Sequence, residues 1–360
     1  MARAYNFSPG PGTLPEEVLL QAQRDMLDWR GLGMSVMEVS HRSSHFQELL
    51  AQVKQDLRTL LAIPDNYHIL ITPGGASNHF ALLPLNLSTQ HGTADYLVTG
   101  HWSDKAATEA ALFTKINIAG QASMDTGLLH IPRPASCTWS TQADYLHYTP
   151  NETISGLAFD WLPQTTAPLV ADMTSSIMSE PLDIKKFAVI YAGAQKNLGQ
   201  AGITIVIIRA DLIKEPTTTI PTLAQYRTYL EHNSCYNTPP TYAIYITALV
   251  LEWLKAQGGL PKIKARNLRK AHNLYQCIDR HPHLYQLKVA GPYRSVMNVA
   301  FTLPTQDITQ QFLTLAQKRH LCNLRGHSSV GGIRASIYNA MPEDGVAMLV
   351  EFMDEFAKQY

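Results

Sequence analysis

The 360-residue chain has no excess of either charge, very little cysteine and no long apolar run, and each shortage closes off a class of function. Lysine plus arginine and aspartate plus glutamate both number 29. No overall field therefore draws the molecule to nucleic acid or to an anionic membrane, and any anion it binds must be gripped by a local cluster. The four cysteines, Cys137, Cys235, Cys277 and Cys322, are scattered without a CxxC pair. That argues against a structural zinc site or a disulfide framework and predicts free thiols in a reducing compartment. No stretch approaches the ~18 uninterrupted apolar residues of a membrane span. The N-terminal "MARAYNFSPGPGTLPEE" breaks into proline and glycine before an apolar signal core can form. The expectation is a soluble, cytoplasmic protein with no nucleic-acid or membrane partner and no metal site. Internal repeats are also missing, and "KEPTTTIPT" and "RPASCTWSTQ" read as surface loops.

What is present is 45% hydrophobic content, enough for a large core and, at ~100–200 residues per domain, for more than one domain. "PEEVLLQAQRDMLDW" opens on Pro15 and two glutamates and spaces Val18, Leu19, Ala22 and Met26 along one helical face. A second amphipathic helix carries Phe46, Leu49, Leu50, Val53, Leu57 and Leu60. Short apolar runs then alternate with turns and helical stretches: "YHILIT", "ADYLVTG", "SGLAFD", "PLVADM", "FAVIYA", "ITIVIIR". This rhythm predicts an α/β domain around a mostly parallel sheet. After the helix "YAIYITALVLEWLKAQ", the Gly/Pro break "GGLPK" introduces a helix, strand candidates in "LKVAG" and "MNVAFTL", and a last helix from Pro342 onward, a smaller α+β unit.

The chemistry-bearing stretches lie at the ends of these runs. Lys196 sits in the small-residue turn of "YAGAQKNLGQAGITIVII". It is either a solvated loop cation or an amine nucleophile, because a partly desolvated ε-amine loses its proton readily and condenses with carbonyls such as that of pyridoxal phosphate. That cofactor also needs a phosphate cradle, an acidic partner for its ring nitrogen and an aromatic face. "PLVADMTSS" ends an apolar run on Asp172, which is either the ring-nitrogen partner or a strand-end cap. "HILITPGGASNHFALL" offers a Gly74-Gly75 turn with Ala76 and Ser77 opening a helix, able to aim amides at a phosphate or to be plain turn chemistry. Trp102 in "TGHWSDKA" can stack on a ring or pack at a rim, and Thr153 in "PNETISG" can reach a ring oxygen or cap a turn. His41 and Arg42, and later Arg325, His327 and Arg334, are ordinary surface groups or the fork-and-seat that a carboxylate and a phosphate require.

The strings "FSPGP", "GLGMSVMEVSHR", "HYTPNETI", "VIYAGAQKN", "YNTPPT" and "GGIRASIYNAMP" together make the chain resemble, nearly end to end, the phosphoserine aminotransferases, fold-type I pyridoxal-phosphate enzymes of the class V aminotransferase group. The resemblance implies an α/β large domain over 16–257 with a mostly parallel seven-stranded sheet, and a small α+β domain from 1–15 and 258–360. It implies pyridoxal 5'-phosphate as cofactor, with Lys196 as the lysine that carries it and Asp172 at the pyridine nitrogen. Trp102 stacks on the ring, Thr153 meets the ring hydroxyl side, and Ala76, Ser77 and Gln195 hold the phosphate. It further implies a homodimer with shared sites, in which Asn237 and Thr238 reach the partner's cofactor phosphate. Arg334 takes the substrate carboxylate, Ser8, His41 and Arg42 lie in the substrate region, and His327 lies on the phosphate side.

The implied reaction moves the amino group of glutamate to 3-phosphohydroxypyruvate, giving phosphoserine and 2-oxoglutarate, with phosphohydroxythreonine as a related substrate. Another class V activity, such as the alanine–glyoxylate type or a desulfurase, and a non-catalytic binding relative are the alternatives. Two departures stand out: "GGASNHF" replaces the "GGGRGQF" found in the family, and "GHS" replaces "GHR". Ser328 therefore stands where an arginine is expected at the substrate phosphate, and Arg325 either takes over part of the lost charge or points to solvent.

Overall fold

The computed structural model describes residues 3–216 and 218–360. Seven strands build its main sheet: β1 (Tyr67–Pro73), β2 (Thr93–Val98), β3 (Lys115–Gln121), β4 (Tyr145–Tyr148), β5 (Leu169–Asp172), β6 (Val189–Gly193) and β7 (Ile203–Arg209). Their order is β1-β7-β6-β5-β4-β2-β3. β7 runs antiparallel to both its neighbours, and all the other pairs are parallel. The α/β class and the mostly parallel sheet are as the apolar runs predict.

Burial of both faces explains why the central strands read as unbroken apolar runs. Alternate residues of β7 face opposite cores. Ile205 and Ile207 pack with the helices Ser44–Leu61 and Thr241–Ala256. Val206 and Ile208 pack with Phe80, Leu83, Ala106, Tyr191 and Tyr226. A separate core gathers Phe7 with Leu274, Phe301, Phe312, Phe352 and Phe356. It lies around the antiparallel strands Gln286–Leu287, Asn298–Thr302 and Ile333–Ser336 and the helices Gly259–Arg280, Gln306–Lys318 and Glu343–Ala357. Buried Lys270 donates to the carbonyls of Ile337 (2.9 Å), Tyr338 (2.7 Å) and Met341 (3.1 Å), which fixes the chain that follows the last strand.

Three expectations need correction. "SGLAFD" gives only Leu157–Ala158, paired with Asn151–Glu152 in a small hairpin outside the main sheet. β3 and β4 were not marked by apolar runs: β3 lies at the sheet edge and is half exposed, and β4 spends two of its four positions on His147 and a tyrosine whose hydroxyl meets Tyr96. The first helix spans Glu16–Arg24 and stops short of Trp29, where Asp25 leaves the helix and accepts from the Tyr245 hydroxyl. The break at "GGLPK" falls between two helices as the sequence predicts, with Gly258 ahead of the helix Gly259–Arg280, whose first turn takes Pro261 because a proline there needs no amide donor. No helix among the described residues is long and apolar enough to cross a membrane.

Candidate active site

The strand ends converge. Gly75, Ala76 and Ser77 follow β1, Trp102 follows β2, Thr149, Asn151 and Thr153 follow β4, Asp172 closes β5, and Gln195 and Lys196 follow β6. All these groups line one cleft with about 470 Å³ of atom-free space, together with Phe80, Thr174 and Ser175. Open α/β sheets bind ligands outside the carboxyl ends of their strands, where the backbone is free to aim polar groups. A larger groove, with about 1820 Å³ of atom-free space, lies between the first helix and the helix Thr241–Ala256. Its buried acid is already spent, Asp56 pairing with Lys255 at 2.7 Å, and Asp25 pairs with Tyr245.

Lys196 is only 8% exposed. The Gly12 amide bonds the Gln195 carbonyl at 2.7 Å, which lays the "FSPGP" segment across the lysine turn. The space beside Gly10 is bounded by the Lys196 side chain, to which a Cβ would come within 3.7 Å. The ammonium donates to Thr153 Oγ1 at 2.5 Å. Burial lowers the Lys196 pKa to about 8, against the opposing pull of Asp172 and Glu152; nearby Arg334 lowers it further.

Asp172 is buried, and both Thr174 donors, the amide (3.0 Å) and the hydroxyl (2.6 Å), bind its Oδ1. Burial raises its pKa, and Thr174, Lys196 and the Tyr191 hydroxyl hold it back. Trp102 is half-buried, and its Nε1 has no partner among the described residues. Gly74 adopts φ +94°, and a Cβ there would fall 2.3 Å from the Asn78 amide nitrogen, so glycine is required for the tight turn. Beyond it the amides of Asn78 and His79 close on Gly75 and Ala76 (3.1 and 2.9 Å). The amides of Ala76 and Ser77 donate to nothing among the described residues. Two free amides at the start of the helix Asn78–Leu87 make an anion cradle.

Arg334, on the strand Ile333–Ser336, is 5% exposed, and its guanidinium has no hydrogen bond or ion pair among the described residues. A buried, unpaired guanidinium within electrostatic reach of Lys196 is a seat for a carboxylate or phosphate. Ser8 is half-buried and accepts from the Gly10 amide (3.4 Å). His327 lies 5.5 Å from the His101 ring, which itself meets Trp102. Eight of the expected residues are absent from the lining of this cleft: Ser8, His41, Arg42, Asn237, Thr238, Arg325, His327 and Arg334. His41, Arg42, Asn237 and Thr238 share one region instead, because Gln47 bonds the His41 carbonyl (2.6 Å), Cys235 Sγ (3.7 Å) and Asn233 (3.1 Å). Arg325 is a correction: its backbone bridges Ile333 and its guanidinium donates outward to Gln310 (2.7 Å), so it does not join His327. Thr149, Asn151, Thr174 and Ser175 were missed. The polar runs directly behind the strand ends, "TPN" and "TSS", were their only sequence signal.

The fold and the site are those of an aminotransferase. The profile of the aminotransferase class-V family matches residues 4–349. The phosphoserine aminotransferase of Chromobacterium violaceum is 48% identical over 362 residues, with 100% of each chain covered. The phosphoserine aminotransferase structure from Bacillus circulans subsp. alkalophilus superposes with a TM-score of 0.96 at 40% identity, covering 99% of both chains. The pyridoxal-phosphate-bound phosphoserine aminotransferase of Trichomonas vaginalis gives 0.93 at 39%, covering 98% of this chain and 100% of that one. The chain belongs to the phosphoserine aminotransferase family within class V.

The amine's shifted pKa is directly measurable. An acylating reagent attacks only the unprotonated amine, so in the ligand-free protein labelling of Lys196 should rise with pH through a midpoint near 8. A midpoint near the ordinary lysine value of ~10.4 would mean that the cleft does not desolvate it.

Proposed function

We infer that the chain catalyses transamination between glutamate and 3-phosphohydroxypyruvate, giving phosphoserine and 2-oxoglutarate, with pyridoxal phosphate as cofactor. The observation that carries this reading is the buried Arg334 guanidinium, unpaired and beside Lys196. A site that keeps such a charge unpaired loses stability unless an anionic substrate fills it. The residues present fit the cofactor: free amides at one end of the cleft, a buried carboxylate and a tryptophan in its walls, and an amine of lowered pKa among them. When bound, pyridoxal phosphate supplies an aldehyde that exchanges amines and a ring that accepts the electron pair left when the α-proton departs.

In this reading Ala76 and Ser77 donate amides to the cofactor phosphate, helped by Gln195. Asp172 faces the ring nitrogen and favours its protonation, Thr153 faces the ring hydroxyl, and Trp102 covers the ring. Arg334 holds the substrate carboxylate in a two-pronged bond, which turns the α-hydrogen toward Lys196. Lys196 Nζ would be the base that takes up that proton and holds it for return. With a pKa near 8 it is unprotonated often enough near neutral pH to do so. Ser8 lies on the substrate side of the lysine, and His327 lies beyond Trp102 on the side of the substrate phosphate.

The functional unit in this reading is a homodimer. His41, Arg42, Asn237 and Thr238 gather in one region joined through Gln47, and they complete the cleft of a second copy. Division into a large unit over 16–257 and a small one from 1–15 and 258–360 belongs to the same reading, and separate hydrophobic clusters support it. So does a cytoplasmic location, supported by four free cysteines.

Two measurements test this. In single-turnover mixing, phosphoserine should convert the cofactor's absorption to its amine form and alanine should not, and Lys196→Ala should abolish the change. Equal conversion by alanine would remove the substrate assignment. Equal amounts of Lys196→Ala and Asn237→Asp protomers, dissociated and reassembled, should regain about a quarter of wild-type activity, because half the dimers are hybrids with one intact site. Hybrids without activity would show that the sites are not shared.

A further inference from the structure

Glu152 has no exposed surface, and beyond its pull on the Lys196 amine it has no part in the chemistry derived above. It sits in the two-residue strand Asn151–Glu152, directly before Thr153, the partner of the Lys196 amine. Its Oε2 accepts from the Trp102 amide (3.1 Å). Its Oε1 accepts from the Ser103 amide (2.9 Å) and lies 2.6 Å from the Ser103 hydroxyl.

The direction of that last bond can be worked out. Ser103 Oγ already accepts from the amides of Thr99 (2.8 Å) and Gly100 (3.0 Å), so both its lone pairs are taken and its proton must be given away. Two acceptors are in range, the Gly100 carbonyl at 3.0 Å and Glu152 at 2.6 Å. The shorter contact is that of a hydroxyl donating to a carboxylate. Three donors therefore converge on Glu152, which needs no proton of its own. Its position at the start of the helix His101–Ala110 favours the negative charge. Burial, together with the nearby Asp172 charge, pushes its pKa up, and the donors of Ser103 and Trp102 hold it back. Gly100 shows how closely the turn is fitted: a Cβ there would come within 2.6 Å of Glu152 Cδ.

We propose that Glu152 is a positioning residue, an ionised carboxylate that clamps the first turn of the helix His101–Ala110 and thereby fixes the Trp102 indole across the cofactor ring. The inference rests on the reading of pyridoxal phosphate as the cofactor. Glutamine has the shape of glutamate, but its NH2 group would meet one of the amide donors head-on. Glu152→Gln is therefore harmful to a carboxylate site and harmless to a neutral acid site.

The test is a cycle of Glu152→Gln, Trp102→Phe and the double variant, each stripped of cofactor and titrated with pyridoxal phosphate. The readouts are the dissociation constant and the induced circular dichroism of the bound ring. Glu152→Gln should weaken binding about tenfold and alter the dichroic band. In the Trp102→Phe background the same change should cost less than about twofold. Asp104→Asn, on the exposed side of the same first turn, should leave both readouts unchanged. Wild-type binding by Glu152→Gln, or effects of the two changes that simply multiply, would overturn the proposal. If Glu152→Gln does not fold, Ser103→Ala removes one of the three donors and enters the same cycle. Failure of the wild type to bind pyridoxal phosphate would instead overturn the cofactor reading itself.

Discussion

Two cationic side chains, Lys196 in the cleft and Arg334 within its electrostatic reach, are both held nearly out of water, and the rest of the site is arranged around that constraint. Desolvation drives the lysine toward its neutral form, and Arg334 pushes the same way; Asp172 and Glu152 pull back. These opposing influences set the balance together, so removing any one partner shifts it. The outcome is an amine poised near pH 8, fit both to attack a carbonyl and to carry a proton. Among the described residues Arg334 has no counter-ion, which leaves its charge available to an anion.

The sheet topology is what brings these groups to one edge. Parallel strands release their carboxyl ends on the same side, which places the turn after β1, the Trp102 helix, Thr153 and Asp172 around one cleft. The single reversed strand has its own use. Because β7 returns antiparallel between β6 and β1, the lysine turn is closed at the same edge, and the Gly74 amide bonds the Gly202 carbonyl at 2.8 Å. The anion cradle and the lysine turn are thereby held together. From the other core, the Tyr338 hydroxyl donates to the Pro9 carbonyl (2.6 Å), and the Lys270 ammonium secures the Tyr338 backbone. The segment lying over Lys196 is thus anchored by both cores.

The parts of the fold that could be read in advance are those buried on both faces. "PLVADM", "FAVIYA" and "ITIVIIR" announce themselves as apolar runs, and Asp172 is conspicuous as the acid that ends one. β3 hides because an edge strand needs no apolar run, and β4 hides because its interior is a network of hydroxyls and imidazoles. Trp102, Thr153 and Ser77 each allowed two readings until the strand ends placed them around one cleft. Glu152 looks like any surface acid, since nothing local to "PNETI" reveals that two amides and a hydroxyl from residues fifty positions earlier will surround it. Arg325 misled because proximity to His327 in a glycine-rich turn fixes no side-chain direction. The backbone bridge to Ile333 sets that direction, and it points outward.

The central claim is that Lys196 is the lysine whose amine meets the cofactor. Reducing the pyridoxal-phosphate-loaded protein with borohydride fixes the cofactor to whichever lysine carries it, and peptide mass mapping then identifies that residue. The account predicts a single labelled peptide containing Lys196, with buried Lys270 unlabelled because three carbonyls occupy its amine. Label on any other lysine, with Lys196 unmodified, would contradict it.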